Sequence, residues 1–186
     1  HVEQDLSGSP VEAYLDDFEL GDSLLFLQGM TGPRIEVTFP HIQEFDGLAI
    51  NKAELVMYRG IVGPDKPLVF DDPNQLFVLR EDGDGGLEPV EDARLALQRG
   101  NLAILDGRLD IDEDVLIEKY SINLTDVLQE MVEGKEVNRI FIEPYVTDTY
   151  NRQLSSDFFP VMKSERADRT IFYGPGHSQY PMKLKL

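Results

Sequence analysis

The feature that most constrains the fold is a series of short segments in which apolar and polar residues alternate, each ended by glycine or proline. Residues 34–39 (RIEVTF) place three apolar side chains on one side of an extended chain and three polar ones on the other. Other segments of strand length follow at 22–28, 50–58, 75–80, 116–123, 138–143, 170–173 and 182–186. About eight or nine short strands of this kind predict an all-β fold, an antiparallel β-sandwich of jelly-roll type.

The sequence predicts one short helix within this sandwich. The helix is indicated by apolar residues at helical spacing, namely Leu124, Val127, Leu128 and Met131. Thr125 or Asn123 is expected to cap its N-terminus, and Gly134 to end it in a left-handed conformation. We expect this helix to lie over an end or edge of the sandwich.

Turn signals predict three further local features. Residues 41–46 (HIQEFD) favour a short helical turn before Gly47. The stretch from Glu81 to Asp92 (EDGDGGLEPVED) has the composition of an acidic loop. Asp106-Gly107, between the short apolar segments 101–105 and 108–112, predicts the turn of a β-hairpin.

The length and hydrophobic content fit one domain. The chain has 186 residues, 41% of them hydrophobic, which is enough for a single all-β core. We assign residues 22–186 to the sandwich and the acidic, weakly periodic residues 1–21 to a linker or N-terminal extension. The sequence begins at His1 rather than at Met, which favours a processed chain, an excised piece of a longer one or a proteolytic fragment, with any export signal upstream.

Charge and cysteine content exclude several classes of function. A formal net charge of −18 repels nucleic acid and anionic membranes, so neither is expected as a partner. The chain contains no cysteine, which excludes disulfides, thiolate metal sites and cysteine nucleophiles. There is no G-x-S-x-G nucleophile elbow, and we expect no enzyme activity.

The first candidate for a metal site is the acidic glycine-rich loop, and the series Asp110, Asp112 and Asp114 is the second. Asp82 and Asp84 lie two residues apart among glycines, and calcium prefers several oxygen ligands of this kind. The alternative is an ordinary solvated turn. The three histidines are far apart in sequence and form no paired zinc motif. We therefore expect no cofactor, with Asp82 and Asp84 as the candidate calcium ligands.

Aromatic residues late in the chain are the candidate ligand-binding residues. Rings on a sandwich can stack against sugars while polar side chains fix the hydroxyls. The residues are Tyr145, Tyr150, Arg152, Tyr173 and His177, with Tyr180 close to the last two. The alternative is that these rings cover the ends of the core.

Three blocks of the sequence resemble a known family. They are LQGMTGP at 27–33 ahead of the strand at 35–40, INKAEL at 50–55, and INLTDVLQ at 122–129 followed by Gly134 and Asn138. From Leu25 to its end the chain resembles the C-terminal part of Bacteroidetes lipoproteins grouped as domain of unknown function 4270. The second and third blocks are more distantly similar to the jelly-roll surface domains named for the motif word DNRLRE.

The resemblance implies an extracytoplasmic protein, anchored by lipid to the outer membrane at the cell surface or in the periplasm. The cysteine that would carry the lipid is absent from this sequence, so any anchor would lie outside it. The function expected is a non-enzymatic domain for binding a protein or glycan partner or for assembly, with a role in outer-membrane nutrient uptake. A glycan-binding module or carbohydrate-active enzyme is one alternative, and a structural surface or adhesin component is another.

Overall fold

A computed structural model describes residues 5, 7–8, 11–12, 23–29, 32–61, 71–135, 138–145 and 168–186. These residues form mainly antiparallel strands, as the alternating segments predict, so the all-β sandwich is confirmed. The predicted linker, residues 1–21, lies almost wholly outside the described residues. None of the described helices is long and apolar enough to cross a membrane.

The described strands form two four-stranded sheets and one two-stranded pair. They are β1 (Leu24–Gln28), β2 (Ile35–Thr38), β3 (Glu54–Tyr58), β4 (Leu76–Glu81), β5 (Leu87–Pro89), β6 (Asp106–Asp112), β7 (Ile117–Asn123), β8 (Arg139–Pro144), β9 (Arg169–Tyr173) and β10 (Lys183–Lys185). The first sheet has the order β10-β3-β7-β6, the second β2-β8-β4-β5, and β1 pairs with β9. All of the pairings between these strands are antiparallel.

The hydrophobic core follows from the alternation of the strands. In the first sheet Leu55 pairs with Ile122 and Met57 with Tyr120, and all four are almost completely buried. In the second sheet Ile142 lies between Ile35 and Val78 and is completely buried. Both sets belong to one hydrophobic cluster, which therefore lies between the two sheets.

In the described part of the chain, two α-helices and the 3₁₀ helix Ile42–Phe45 accompany the sheets. The 3₁₀ helix, Ile42–Phe45, confirms the predicted turn before Gly47. The predicted helix is α2 (Thr125–Val132), whose apolar stripe is buried. It ends at Gly134 with φ +70°, where the N–H of Lys135 donates to the Glu130 carbonyl at 2.9 Å. This is the Schellman arrangement expected of a C-terminal glycine.

Helix α1 (Glu91–Gln98) and strand β5 are not predicted from the sequence, and they occupy part of the expected acidic loop and the residues after it. The expectation of a single helix is therefore wrong. Only Ala93, Ala96 and Asp92 of α1 are buried, so the helix contributes small residues and one acid to the interior. A short helix with this composition lacks the strong apolar stripe on which sequence recognition depends.

The predicted hairpin at Asp106-Gly107 is also wrong. Both residues have positive φ, +60° and +71°, but they form an irregularity at the start of β6 rather than a turn between strands. A β-carbon on Gly107 would lie 2.8 Å from the carbonyl oxygen of Leu76. The pair thus marks a close backbone approach, a second common use of glycine within a strand.

Candidate functional site

Among the residues that the structure describes, the largest group of aromatic side chains in contact lies beside the outer face of the first sheet. Tyr58 ends β3 on the face opposite Leu55 and Met57, since side chains alternate along a strand. Tyr173 ends β9, and His177 and Tyr180 follow in the segment before β10. We call Tyr58, Tyr173, His177 and Tyr180 the aromatic face.

Three of these rings are nearly parallel. The ring centroids of Tyr173 and His177 are 3.9 Å apart with 20° between the ring planes. Tyr180 is 5.9 Å from Tyr173 at 27° and 6.1 Å from His177 at 14°. All three are partly exposed, whereas Tyr58, which is 5.8 Å from Tyr180, is buried. Stacking at these distances is attractive and orients the rings.

Backbone hydrogen bonds hold the segment that carries these rings. The N–H of Gly174 donates to the Ser23 carbonyl at 2.9 Å, and the Gly174 carbonyl accepts from the N–H of His177 at 3.1 Å. The Nδ1 atom of His177 accepts the Tyr180 N–H at 3.0 Å. The arrangement of the rings therefore depends on the fold of the loop as well as on stacking.

Polar groups border the aromatic face. The Tyr58 hydroxyl donates to Asp112 Oδ2 at 3.1 Å, and Lys119 Nζ lies 3.4 Å from the same oxygen. Lys183 Nζ lies 5.3 Å from the centre of the Tyr58 ring, within the range of a cation–π contact. Aromatic rings next to donors and acceptors can bind a ligand that has both an apolar surface and hydroxyl groups.

The structure brings together two of the residues predicted to bind a ligand. Tyr173 and His177 belong to the aromatic face, whereas Tyr145 follows β8 in the other sheet and stacks on Phe77 at 5.2 Å. Burial raises the pKa of the Tyr145 hydroxyl, in keeping with a ring packed against the core. Tyr150 and Arg152 lie outside the described residues.

Tyr58 is not among the ligand-binding residues predicted from the sequence, and Tyr180 is named there only as a neighbour of Tyr173 and His177. Tyr58 lies in a strand more than a hundred residues before Tyr180 in the sequence, and no local pattern connects the two. The pairing of β10 with β3, in which Lys183 is opposite Val56, brings the segments together. Tyr58 could have been assigned to the site only from a correct prediction that β3 pairs with β10.

The acidic loop predicted to bind calcium is the turn between β4 and β5. The Oδ1 atom of Asp82 accepts the N–H groups of Asp84 and Gly86 at 2.9 and 2.6 Å. In the part of the chain that the structure describes, no group of three or more histidine, cysteine, aspartate or glutamate residues is arranged to hold a metal ion. The turn alone accounts for the contacts of Asp82, and calcium binding there stays the untested alternative.

Two buried carboxylates have structural partners. Asp92 is 1% exposed and accepts the N–H groups of Asp126 and Val127 at 3.0 and 2.9 Å. Burial raises its pKa and these two hydrogen bonds oppose the rise. Glu143 is 3% exposed, and its Oε1 lies 3.1 Å from the Arg34 guanidinium without hydrogen-bond geometry. Burial raises the pKa of Glu143, and Arg34 lowers it to a smaller extent.

A second polar cluster ties the end of β3 to β7. Arg59 forms ion pairs with Asp72 at 3.0 Å and Glu118 at 2.7 Å. Burial lowers the pKa of Arg59, but the two carboxylates outweigh this effect and the pKa lies above its ordinary value. Nearby, the Tyr120 hydroxyl donates to the Pro73 carbonyl at 2.7 Å. The two ion pairs and this hydrogen bond connect the ends of β3 and β7 with residues 72–73, which is a structural role.

Comparisons of the chain with protein-family models, with curated proteins and with solved structures found no match. Inference about function therefore depends on the geometry of the aromatic face and its polar border, and on the sequence resemblance.

Proposed function

We propose that this chain is a non-enzymatic binding domain and that the aromatic face binds a carbohydrate. The observation that carries the proposal is the near-parallel set of Tyr173, His177 and Tyr180, all partly exposed and in contact with one another. A pyranose ring has an apolar face that stacks on such rings and hydroxyls that need hydrogen-bonding partners. Lys183 and the Asp112–Lys119 pair supply charged groups beside the rings.

The non-enzymatic part of the proposal draws support from the buried acids. General acid catalysis by a carboxyl group needs a raised pKa and access to a substrate. Asp92 and Glu143 have raised pKa values, but both are almost completely buried. Both oxygens of Asp92 are engaged by backbone amides. These carboxyl groups are better explained by the architecture than by catalysis.

The cellular setting is part of the same proposal. The resemblance to lipid-anchored Bacteroidetes proteins supports a place outside the cytoplasm, at the outer membrane. The absence of cysteine is compatible with this setting and with others. Fractionation of cells that express the whole protein, followed by protease treatment of intact cells, tests the location. Protein recovered in the cytoplasmic fraction contradicts it.

A glycan array probed with the purified chain tests the ligand. Host and dietary glycans should give hits that titration calorimetry confirms in solution. Tyr180→Ala removes a ring and should abolish those hits, while Tyr180→Phe keeps the ring and should retain most of the affinity. Thermal melts of both variants establish that the fold persists. Blank arrays, or equal binding by the alanine variant, contradict carbohydrate binding on the aromatic face.

A further inference from the structure

The hairpin formed by β6 and β7 exposes an unusual share of large apolar side chains. Seven large hydrophobic residues are exposed in the described part of the chain, and four of them lie within residues 109–116. They are Leu109 at 36%, Ile111 at 54%, Val115 at 43% and Leu116 at 81% relative exposure. We call these four residues the hairpin patch. Single exposed apolar residues are ordinary, but a group in one short segment indicates an interaction site.

Leu116 is unfavourable for the fold in two respects. Its φ is +56°, in the left-handed region, where glycine or asparagine is preferred in a hairpin turn of this kind. Its N–H donates to the Asp112 carbonyl at 2.7 Å, so the turn holds it in that conformation. The same residue is the most exposed of the seven. Neither turn formation nor core packing explains a leucine here, which points to a contact outside the chain.

The charge around the patch indicates the chemistry of its partner. Residues 106–118 contain a single basic residue, Arg108, and six acids, Asp106, Asp110, Asp112, Glu113, Asp114 and Glu118. Asp110, Glu113 and Asp114 are exposed, and none has an ion-pair partner among the described residues. This field, added to the net charge of the chain, opposes a second copy and an anionic membrane. It favours a basic surface.

The backbone edge of β6 is partly occupied, which bears on how a partner would bind. The N–H of Leu109 donates to the Asn74 carbonyl at 3.4 Å, and Arg108 forms an isolated antiparallel bridge with Gln75. A partner strand cannot pair along this part of the edge. Recognition therefore relies on the side chains of the hairpin patch and the acids beside them.

We propose that the hairpin patch is a docking site for a basic segment of a partner protein that carries apolar side chains. Leu116 and Ile111 supply the apolar contact, and the acids of the turn, Glu113 and Asp114, supply the charge complement. The hairpin patch and the acids of the turn share no residue with the aromatic face and bind a ligand of different chemistry, although Asp112, which borders that face, belongs to the same hairpin. It does not depend on carbohydrate binding.

Fluorescence anisotropy with labelled synthetic peptides tests the proposal. The probe is a short amphipathic peptide of leucine and lysine, and its matched control has glutamate in place of every lysine. The basic peptide should bind, and physiological ionic strength should weaken the binding several-fold relative to low salt. Leu116→Asn should weaken binding by about tenfold or more, since it removes a leucine anchor. Glu113→Gln should reduce the dependence on salt.

Leu48→Asn is the matched control variant, because Leu48 is 59% exposed and lies outside the hairpin. It should bind the peptide like the original chain. Leu116→Asn should also melt at the same or a higher temperature, since asparagine tolerates positive φ, so a loss of binding cannot arise from unfolding. Equal binding of both peptides, or an unchanged affinity in Leu116→Asn, overturns the proposal. Sedimentation that shows a dimer dispersed by Leu116→Asn also overturns it, because the occupant would then be a second copy.

Discussion

The carboxylate of Asp92, in helix α1, accepts the N–H of Val127, in helix α2, at 2.9 Å. Its other oxygen accepts the N–H of Asp126 at 3.0 Å. Leu124 is the N-cap residue of α2 and its side chain makes no capping hydrogen bond. A residue from another helix thus satisfies the donors that a serine or aspartate at the N-cap position satisfies in most helices.

Asp92→Ala should lower the free energy of unfolding by about 2–4 kcal/mol, because it leaves the buried N–H of Val127 and the partly buried N–H of Asp126 without acceptors. Asp92→Asn should also be destabilising, since its amide group can accept at one oxygen but presents a donor to the second N–H. Denaturant unfolding provides the measurement. The matched control is Glu91→Ala, which removes a partly exposed ion pair with Arg94 and should change stability by less than about 1 kcal/mol. Equal losses in Asp92→Ala and Glu91→Ala would contradict the capping role.

The contact between Asp92 and α2 separates the features of this helix that can be predicted from the sequence from those that cannot. The apolar stripe and Gly134 are sufficient to predict the helix and its end. The predicted caps are Thr125 and Asn123. Asn123 Oδ1 does accept the first N–H of the helix, at 3.2 Å, but Thr125 Oγ1 accepts the N–H of Ala53 instead. The residue that satisfies the next two donors is more than thirty positions away, beyond any local pattern.

The aromatic face could not be predicted in full for the same reason, because it depends on contacts between segments far apart in the sequence. Alternation along the chain predicted the strands, because burial of one face is a local property of the sequence. It did not predict which strands pair, and the aromatic face depends on β3, β9 and β10. Tyr173 and His177 are four residues apart and could be grouped from the sequence, whereas Tyr58 could not.

Glu143 should make the stability of the protein depend on pH. Its pKa in the folded state is raised by burial, so the folded state binds this proton more tightly than the unfolded state does. The contribution of Glu143 to the free energy of unfolding should therefore be complete below the ordinary glutamate pKa. It should be lost as the pH rises through the raised pKa of the folded state. Denaturant unfolding over this range should show a smaller gain in Glu143→Gln than in the original chain. Parallel pH profiles for the two proteins would contradict this assignment.

Gly107, Gly134 and Gly83 form a graded series for alanine substitution. Gly83→Ala should be close to neutral, because Gly83 has no positive φ and open space at its β-carbon position. Gly134→Ala has open space but φ +70°, and should cost about 1–2 kcal/mol. Gly107→Ala combines φ +71° with a contact of 2.8 Å to a backbone oxygen, and should cost more than Gly134→Ala. Thermal or denaturant unfolding of the three variants measures this order, and a Gly107→Ala variant as stable as Gly83→Ala would show that the close approach is absent.

Asp82 should act as a turn residue, independently of calcium. Its Oδ1 accepts two backbone N–H groups, and Asp82→Ala should lower the free energy of unfolding by about 0.5–1.5 kcal/mol per hydrogen bond lost. Asp84→Ala is the control, because Asp84 is exposed and only its backbone takes part in the turn. We expect the same melting temperature in calcium and in chelator, since the engaged oxygen of Asp82 leaves few ligands for the cation. A rise in melting temperature with calcium that both variants abolish would instead establish the metal site predicted from the sequence.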